Sequence, residues 1–519
     1  MCHTPVHVLP LYLGTPVHIP RATPGQRSHP VVQDLVNRLQ KRLAPLRWLT
    51  NNAAGISIPV ATAIYVTFIR SVVDYLSPAL SQLPRASLQP LETFQNEAMR
   101  VILGCHVSTR IVNMRTELNL PPITERIYSM VTCFTLKCLH SPRITPYYSQ
   151  VIRHALGQRP RVPPIQPGGR TLVRTICSII RRLDIDVPEE DDVPGPPPWL
   201  QFSPEVCYTP TSKAALPVLQ RQLALETIAA LSSSVPEAHH VYTDGSVQAD
   251  DRAGSAVFSP DTDPPPGGWV GRRLPDSSSS TFCELYGILD AVSLLSQRGL
   301  SGVVICDSKS ALLALSSAKP TCRQVVLRIL SFLALLQGRD LKVKFLWIPS
   351  HIGLAHSDTV DAMAKAACRL DPRDAGPSPS LSCYISRIRA AAFLPTTHLT
   401  DHQRVGSVSI RHYDAFRCHR FKYRRRGLVV RRHNVVSARL RLGYRPVWQV
   451  AGDEGEPRFS SCPLCHSPRA DTLDHYCLHC PVVRDVLPQD QPLLDVCRHL
   501  LDHDNLEELL VRFPRFGGR

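Results

Sequence analysis

An α/β fold, with a five-stranded mixed sheet and helices packed against it, is what the middle of this sequence predicts. Three observations carry that expectation. Between residues 237 and 371, three short apolar segments joined by turn residues give way to alternating helical and strand-like segments. Proline-rich stretches bracket this region, RPRVPPIQPGG and VPGPPPWLQFSP before it and DPRDAGPSPS after it. The sequences outside the brackets have a different character, helical on one side and basic and cysteine-containing on the other.

The elements follow in order. His239 to Val247, Gly254 to Phe258 and Trp269 to Arg273 read as strands. Ser279 to Gln297 reads as a helix, Val303 to Cys306 as a buried strand, and Ser308 to Ser317 and Gln324 to Leu336 as two helices. Leu341 to Ile348 reads as a strand and Ser357 to Leu370 as a closing helix. Before them, residues 1–156 carry helical periodicity, with Ile64, Phe68 and Val72 on one face of a first segment. Leu91, Phe94, Ala98 and Val101 share a face of a second, before Gly104 offers a stop. Residues 157–236 read as a proline-rich linker, 372–454 as a basic connector and 455–519 as a small tail.

Lysine and arginine exceed aspartate and glutamate by 16, an excess that points to a polyanionic partner, most simply nucleic acid. Seventeen dispersed cysteines argue for a reducing compartment. The N-terminus lacks the charged and then apolar pattern of a signal peptide, and the apolar run Ile56 to Val73 is interrupted by Pro59 and Arg70. An intracellular protein without a membrane partner is expected, nuclear or cytoplasmic, with its oligomeric state open.

Four carboxylates stand where an open α/β sheet gathers functional groups. Asp244 is on the first strand, Glu284 early in the first helix, Asp307 at the end of the strand VVIC, and Asp361 in the final helix. Clustered carboxylates repel unless divalent cations neutralise them, and hard cations take oxygen ligands. Two such ions suit the attack of water on a phosphodiester. Asp250 and Asp251, where the chain must reverse after the first strand, read as solvated turn residues.

Thr243-Asp244-Gly245-Ser246, Cys283-Glu284-Leu285, Cys306-Asp307-Ser308 and His351-Ile352-Gly353 with Asp361-Ala362-Met363-Ala364 resemble, in order, the signature of type 1 ribonuclease H. The resemblance implies a ribonuclease H-like five-stranded mixed sheet, Mg²⁺ or Mn²⁺, and hydrolysis of the RNA strand of RNA–DNA hybrids. It implies that Asp244, Glu284, Asp307 and Asp361 are the metal ligands and that His351 assists proton transfer or product release. Cys306 stands where threonine is common, Gly287 where alanine is usual, Ser357 where asparagine is frequent and Asp358 where glutamate is. None removes a carboxylate, though a helical glycine costs up to about 1 kcal/mol.

IRSVVDYLSPAL, LETFQNEAMRVILGC and ELNLPPITERIY resemble the segment joining reverse transcriptase to ribonuclease H in non-LTR, LINE-like retrotransposon polyproteins. No fingers-and-palm region precedes them, so a truncated polyprotein without a polymerase site is expected. Residues 411–445 hold twelve lysines or arginines against one aspartate, interleaved with Tyr413, Phe416, Phe421, Tyr423 and Tyr444, and read as a nucleic-acid-binding segment. In CPLCHSPRADTLDHYCLHC, the spacing of Cys462, Cys465, His475 and Cys480 suits a tetrahedral structural Zn²⁺, with His466, Cys477 and His479 as competing ligands. The cluster also resembles the zinc-binding tail of the same polyproteins. A non-catalytic nucleic-acid-binding remnant is the alternative function, and a transposase or integrase sheet a weaker third.

Overall fold

The computed structural model describes residues 11–12, 15–16, 29–51, 54–139, 177–181, 185, 204–212, 215–235, 237–265, 268–269, 271–317, 322–371, 380–418, 421–427, 429–443, 461–502 and 505–518. Most of the proline-rich segment 158–203, and Tyr444, lie outside them. The chain forms two compact units. One combines residues 1–135 and 389–519, with 147–181, and the other is essentially residues 182–388.

The first unit begins with helices α1 (Pro30–Leu49), α2 (Ile58–Leu80), α3 (Gln89–Leu103), α4 (Ile111–Leu118) and α5 (Ile123–Leu139). By length and composition α2 could cross a membrane, but it carries Arg70, 8% exposed and 3.7 Å from Asp74, which also takes two hydrogen bonds from Arg126. A buried cation held by a carboxylate within a mostly apolar core is the behaviour of a core helix. The buried stripe of α2 is Ala61, Tyr65, Ile69, Val73, Leu76 and Leu80. The expected face through Phe68 is displaced by one position, and Phe68 is 53% exposed beneath Arg42. An apolar run with few polar residues does not declare its own face, and the Tyr65 hydroxyl bonding to buried Gln95 decides it. Gly104 ends α3 in the left-handed conformation (φ 62°), as its position predicts.

The second unit contains β1 (Glu205–Tyr208), α6 (Pro217–Ser232), β2 (His239–Val247), β3 (Ala253–Phe258), β4 (Arg272–Leu274), α7 (Ser280–Arg298) and β5 (Gly302–Cys306). After these come α8 (Lys309–Leu315), α9 (Arg323–Gln337), β6 (Val343–Trp347) and α10 (Ala355–Ala367). The sheet order is β1-β6-β5-β2-β3-β4, parallel from β1 to β2 and antiparallel from β2 to β4. It has six strands, where the sequence predicts five. The sixth, β1, and helix α6 lie in the range read as linker. Glu-Val-Cys-Tyr sits between Pro204 and Pro210, four residues too short to show a period, and gains its pairing from β6. The third expected strand lies slightly later, at Arg272–Leu274 rather than Trp269 to Arg273.

Side-chain alternation covers both faces of this sheet. Val241, Val304, Cys306 and Phe345 pack into one core with α7 and α9, while Tyr242, Val303, Ile305 and Leu346 pack into another with α6 and α10.

The chain then returns to the first unit with α11 (Leu394–Arg404), α12 (Val408–Arg417), α13 (Val430–Leu442), α14 (Leu493–Leu501) and α15 (Asn505–Arg512). One apolar core joins the two halves, running through Leu43, Tyr65, Phe94 and Met99 to Tyr413, Val436, Tyr476 and Phe516. The expected separation into helical region, connector and tail is therefore not how the core is built. Among the described residues of 411–445, Arg411, Lys422, Arg425 and Arg426 are exposed, whereas other cations face the core. Arg431 is 1% exposed and donates to the carbonyls of Val101 and Ile102, and Arg439 donates to that of Gly104. These cations satisfy the orphan carbonyls at the end of α3 and oppose its negative dipole end. Arg441 forms a bidentate pair with Glu117 at 2.9 and 3.0 Å, and the same carboxylate accepts from the hydroxyls of Tyr413 and Tyr423. Charge counts along a sequence cannot tell a cation aimed at phosphate from one aimed at a buried carboxylate.

Candidate functional sites

Among the described residues, two groups of side chains could hold a metal ion, one in each unit. In the α/β unit, Thr243 of β2 pairs with Cys306 of β5. Asp244 and Asp307 each follow by one position on these adjacent parallel strands, which run about 4.8 Å apart. Glu284 enters from the first turns of α7, where Ser279 caps the helix by accepting from the Phe282 N–H. Gly245 permits the approach, because a Cβ there would lie 2.3 Å from the Glu284 backbone nitrogen. Gly287, one turn later, faces the carbonyls of Asp244 and Ala256, each 3.3 Å from an added Cβ. Tight packing of the helix on the strands thus accompanies the propensity lost at that glycine.

Donor atoms of Glu284, Cys306 and Asp307 lie within 4.8 Å of one another, and the Cys306 thiol donates to Glu284 at 3.7 Å. Asp244 joins this group electrostatically. Burial first, then the charges of Asp307 and Asp361, push its carboxyl up to about 6. Glu284, 5% exposed, is pushed well above the carboxylate range by burial and then by Asp244 and Asp307. Asp307 is raised by burial, with the charge of His351 acting against it and that of Asp361 adding to it. Asp361 meets Lys365 at 2.6 Å. His351 is exposed, at φ 55°, in the loop ahead of α10. Concentrated, partly desolvated negative charge with mostly oxygen donors fits a hard divalent cation; the Cys306 sulfur does not. Asp250 and Asp251 lie in the β2–β3 turn, where Asp250 pairs with Arg252.

In the first unit, Cys462, Cys465, His475 and Cys480 bring their donor atoms within 4.8 Å of one another. The Cys462 and Cys480 sulfurs are 4.0 Å apart, and Cys465 sulfur is 3.2 Å from His475 Nε2. Three thiols and an imidazole at these separations fit a tetrahedral ion with metal–sulfur bonds near 2.3 Å, so this group could bind a metal such as zinc. Burial and the neighbouring His479 lower the His475 pKa, favouring the neutral ring that ligates. Burial works against the Cys465 thiolate, but hydrogen bonds with Ser467, Cys462 and Cys480 outweigh it and lower its pKa. Of the competing ligands, Cys477 is buried against Cys497, while His466 and His479 are exposed.

Sequence reasoning missed Tyr208 and gave no role to Lys309, which follows Asp307 by two positions. Lys309 Nζ lies over the rings of Tyr208 and Trp347, at 5.2 and 5.8 Å, and Trp347 Nε1 donates to the Asp307 carbonyl. Finding Tyr208 required knowing that β1 pairs with β6.

No protein-family model matches the chain. It is similar to a probable RNA-directed DNA polymerase from transposon BS of Drosophila melanogaster, 24% identical over 131 residues, which make up 25% of this chain and only 14% of that protein. That similarity, partial on both sides, supports a retrotransposon-related protein.

Proposed function

We propose that the α/β unit is a ribonuclease H-like nuclease that hydrolyses the RNA strand of RNA–DNA hybrids within a retrotransposon-related protein. The observation that carries this reading is the convergence of Glu284 and Asp307 donor atoms within 4.8 Å, beside Asp244 on the neighbouring strand, where burial first and then neighbouring carboxylate charge raise Asp244 and Glu284. Such a group invites counter-charge. Magnesium or manganese, when bound, would activate water and stabilise the leaving oxygen.

The chain's own residues do the rest. Asp244 from within β2 and Asp307 from just past β5 present oxygens held by the sheet, Glu284 is fixed by the close packing at Gly245, and Asp361 would exchange Lys365 for the ion. In this reading His351, exposed and close enough to influence Asp307, assists proton transfer or product release. The Tyr208–Trp347–Lys309 group offers a base-stacking and phosphate-facing flank.

Incubating the full chain with labelled hybrid, RNA duplex and DNA duplex in Mg²⁺ tests the reading. Selective hybrid cutting that Asp244→Asn lowers by at least about a hundredfold is expected, the scale of removing a catalytic electrostatic group. Equal cutting of all three duplexes, or full activity in that variant, sinks it. The Asp361–Lys365 pair favours the second reading, a non-catalytic nucleic-acid-binding remnant. Salt-dependent hybrid binding without metal-dependent cutting would select it.

A further inference from the structure

The first unit carries an open cavity of about 570 Å³, lined by α3, the turn leading into α4, the start of α5 and helix α11. Its charged lining consists of Arg85, Arg100, Arg110 and Arg115 with Glu92 and Glu125, four cations against two anions. Both glutamates are already engaged. Glu92 takes Arg115 at 2.9 Å and the Thr124 N–H at 2.9 Å, and Glu125 takes Arg85. Arg100 and Arg110 have no carboxylate partner among the described residues, and Arg100 reaches only the Val107 carbonyl, at 3.3 Å.

Two of the lining arginines also carry a buried nitrogen. Nε of Arg100 and Nε of Arg115 have no acceptor. Arg110 is the N-cap of α4, and its side chain makes no cap hydrogen bond. A pocket in which cations outnumber anions, with two arginines lacking a carboxylate partner among the described residues, suits an acceptor-rich anion. Phosphate, with its oxygens suited to guanidinium forks and helix N-termini, matches that set. Pro395 and Leu399 on the opposite wall add an apolar surface for the group carrying the phosphate.

We propose that this cavity is a phosphate-binding site for a nucleotide, either free or within a nucleic-acid strand. Arg100, Arg110 and Arg115 hold the oxyanion, and Pro395 and Leu399 pack against the attached sugar or base. The proposal concerns the helical unit and is independent of the nuclease reading.

The test titrates the full chain with adenosine 5′-monophosphate and with a short single-stranded oligonucleotide, in buffer without added divalent metal. Arg110→Glu is expected to weaken binding on the order of tenfold and to lower the salt slope by about 1. Arg110 is half-buried and makes no ion pair, so this variant should fold; Arg100→Gln is the second variant, and thermal melting reports on the fold of both. Preference for the oligonucleotide would identify a strand phosphate, and equal affinity a free nucleotide, both in support. No binding of either probe, or constants unchanged within about twofold in both folded variants, overturns the site.

Discussion

Glu117 holds together more of the first unit than any other single carboxylate described above. Its side chain is 2% exposed and accepts from Arg441, Tyr413 and Tyr423. Removing it strands a buried guanidinium, which typically costs about 3–5 kcal/mol, so Glu117→Ala should shift urea unfolding by that amount. Glu117→Gln should lose less, since it still accepts hydrogen bonds. The carboxylates of the α/β unit behave oppositely. Asp244 is raised from 3.8 to about 6, so in metal-free protein its contribution to stability is complete below about pH 4 and is lost as pH rises through 6. That is worth about 3 kcal/mol. Without added divalent ions, the α/β unit should melt lower at pH 8 than at pH 5. Asp244→Asn should narrow the gap, and Mg²⁺ at pH 8 should restore the lost stability in the native sequence only. Asp244, Glu284, Asp307 and Asp361 could be singled out in the sequence because each sits in a short ordered motif on its own element, although only Glu284 and Asp307 of the four share a group within 4.8 Å. The partners of Glu117 were not, because Arg441 lies more than three hundred positions away and nothing local marks either residue as buried.

At the scale of elements, β1 is the instructive case. Its four residues lie on the edge of β6, and Thr209 extends the attachment by donating to the Trp347 carbonyl from both its N–H and its hydroxyl. A strand with so little sequence of its own draws its stability from the neighbour it covers. Replacing residues 205–208 by Gly-Ser linker should unpair the β6 edge, raise amide exchange from Lys344 to Trp347, and promote self-association through that edge. Helix α13 shows the same limit of local reading. Its arginines satisfy carbonyls of α3 and of the turn after α15, where Arg432 donates to Pro514 and Phe516. Periodicity reveals that α13 is a helix; it does not reveal which end of which other helix its cations neutralise.

At the scale of the whole molecule, the cysteine and histidine cluster belongs to the same core as the helices that open the chain. Metal removal should therefore loosen more than the tail. Zinc analysis should give about one equivalent for the native chain, and a chelator should lower the melting of the helical unit as a whole. Cys462→Ser should lose the metal, whereas Cys477→Ser should keep it, because Cys477 faces Cys497 instead.

The α/β unit interrupts a core whose two halves are separated by more than two hundred residues of chain. On a ribosome adding roughly 5–20 residues per second, α1 to α5 emerge on the order of ten seconds or more before α12 and α13 can reach them. During that interval Leu43, Phe94, Met99 and the open end of α3 have no partners from the later half. The inserted sheet, contiguous in sequence, can fold at once. The order of synthesis thus makes the nascent helical half the portion most in need of chaperone protection, and makes a fragment ending after the sheet a poor vehicle for expressing it.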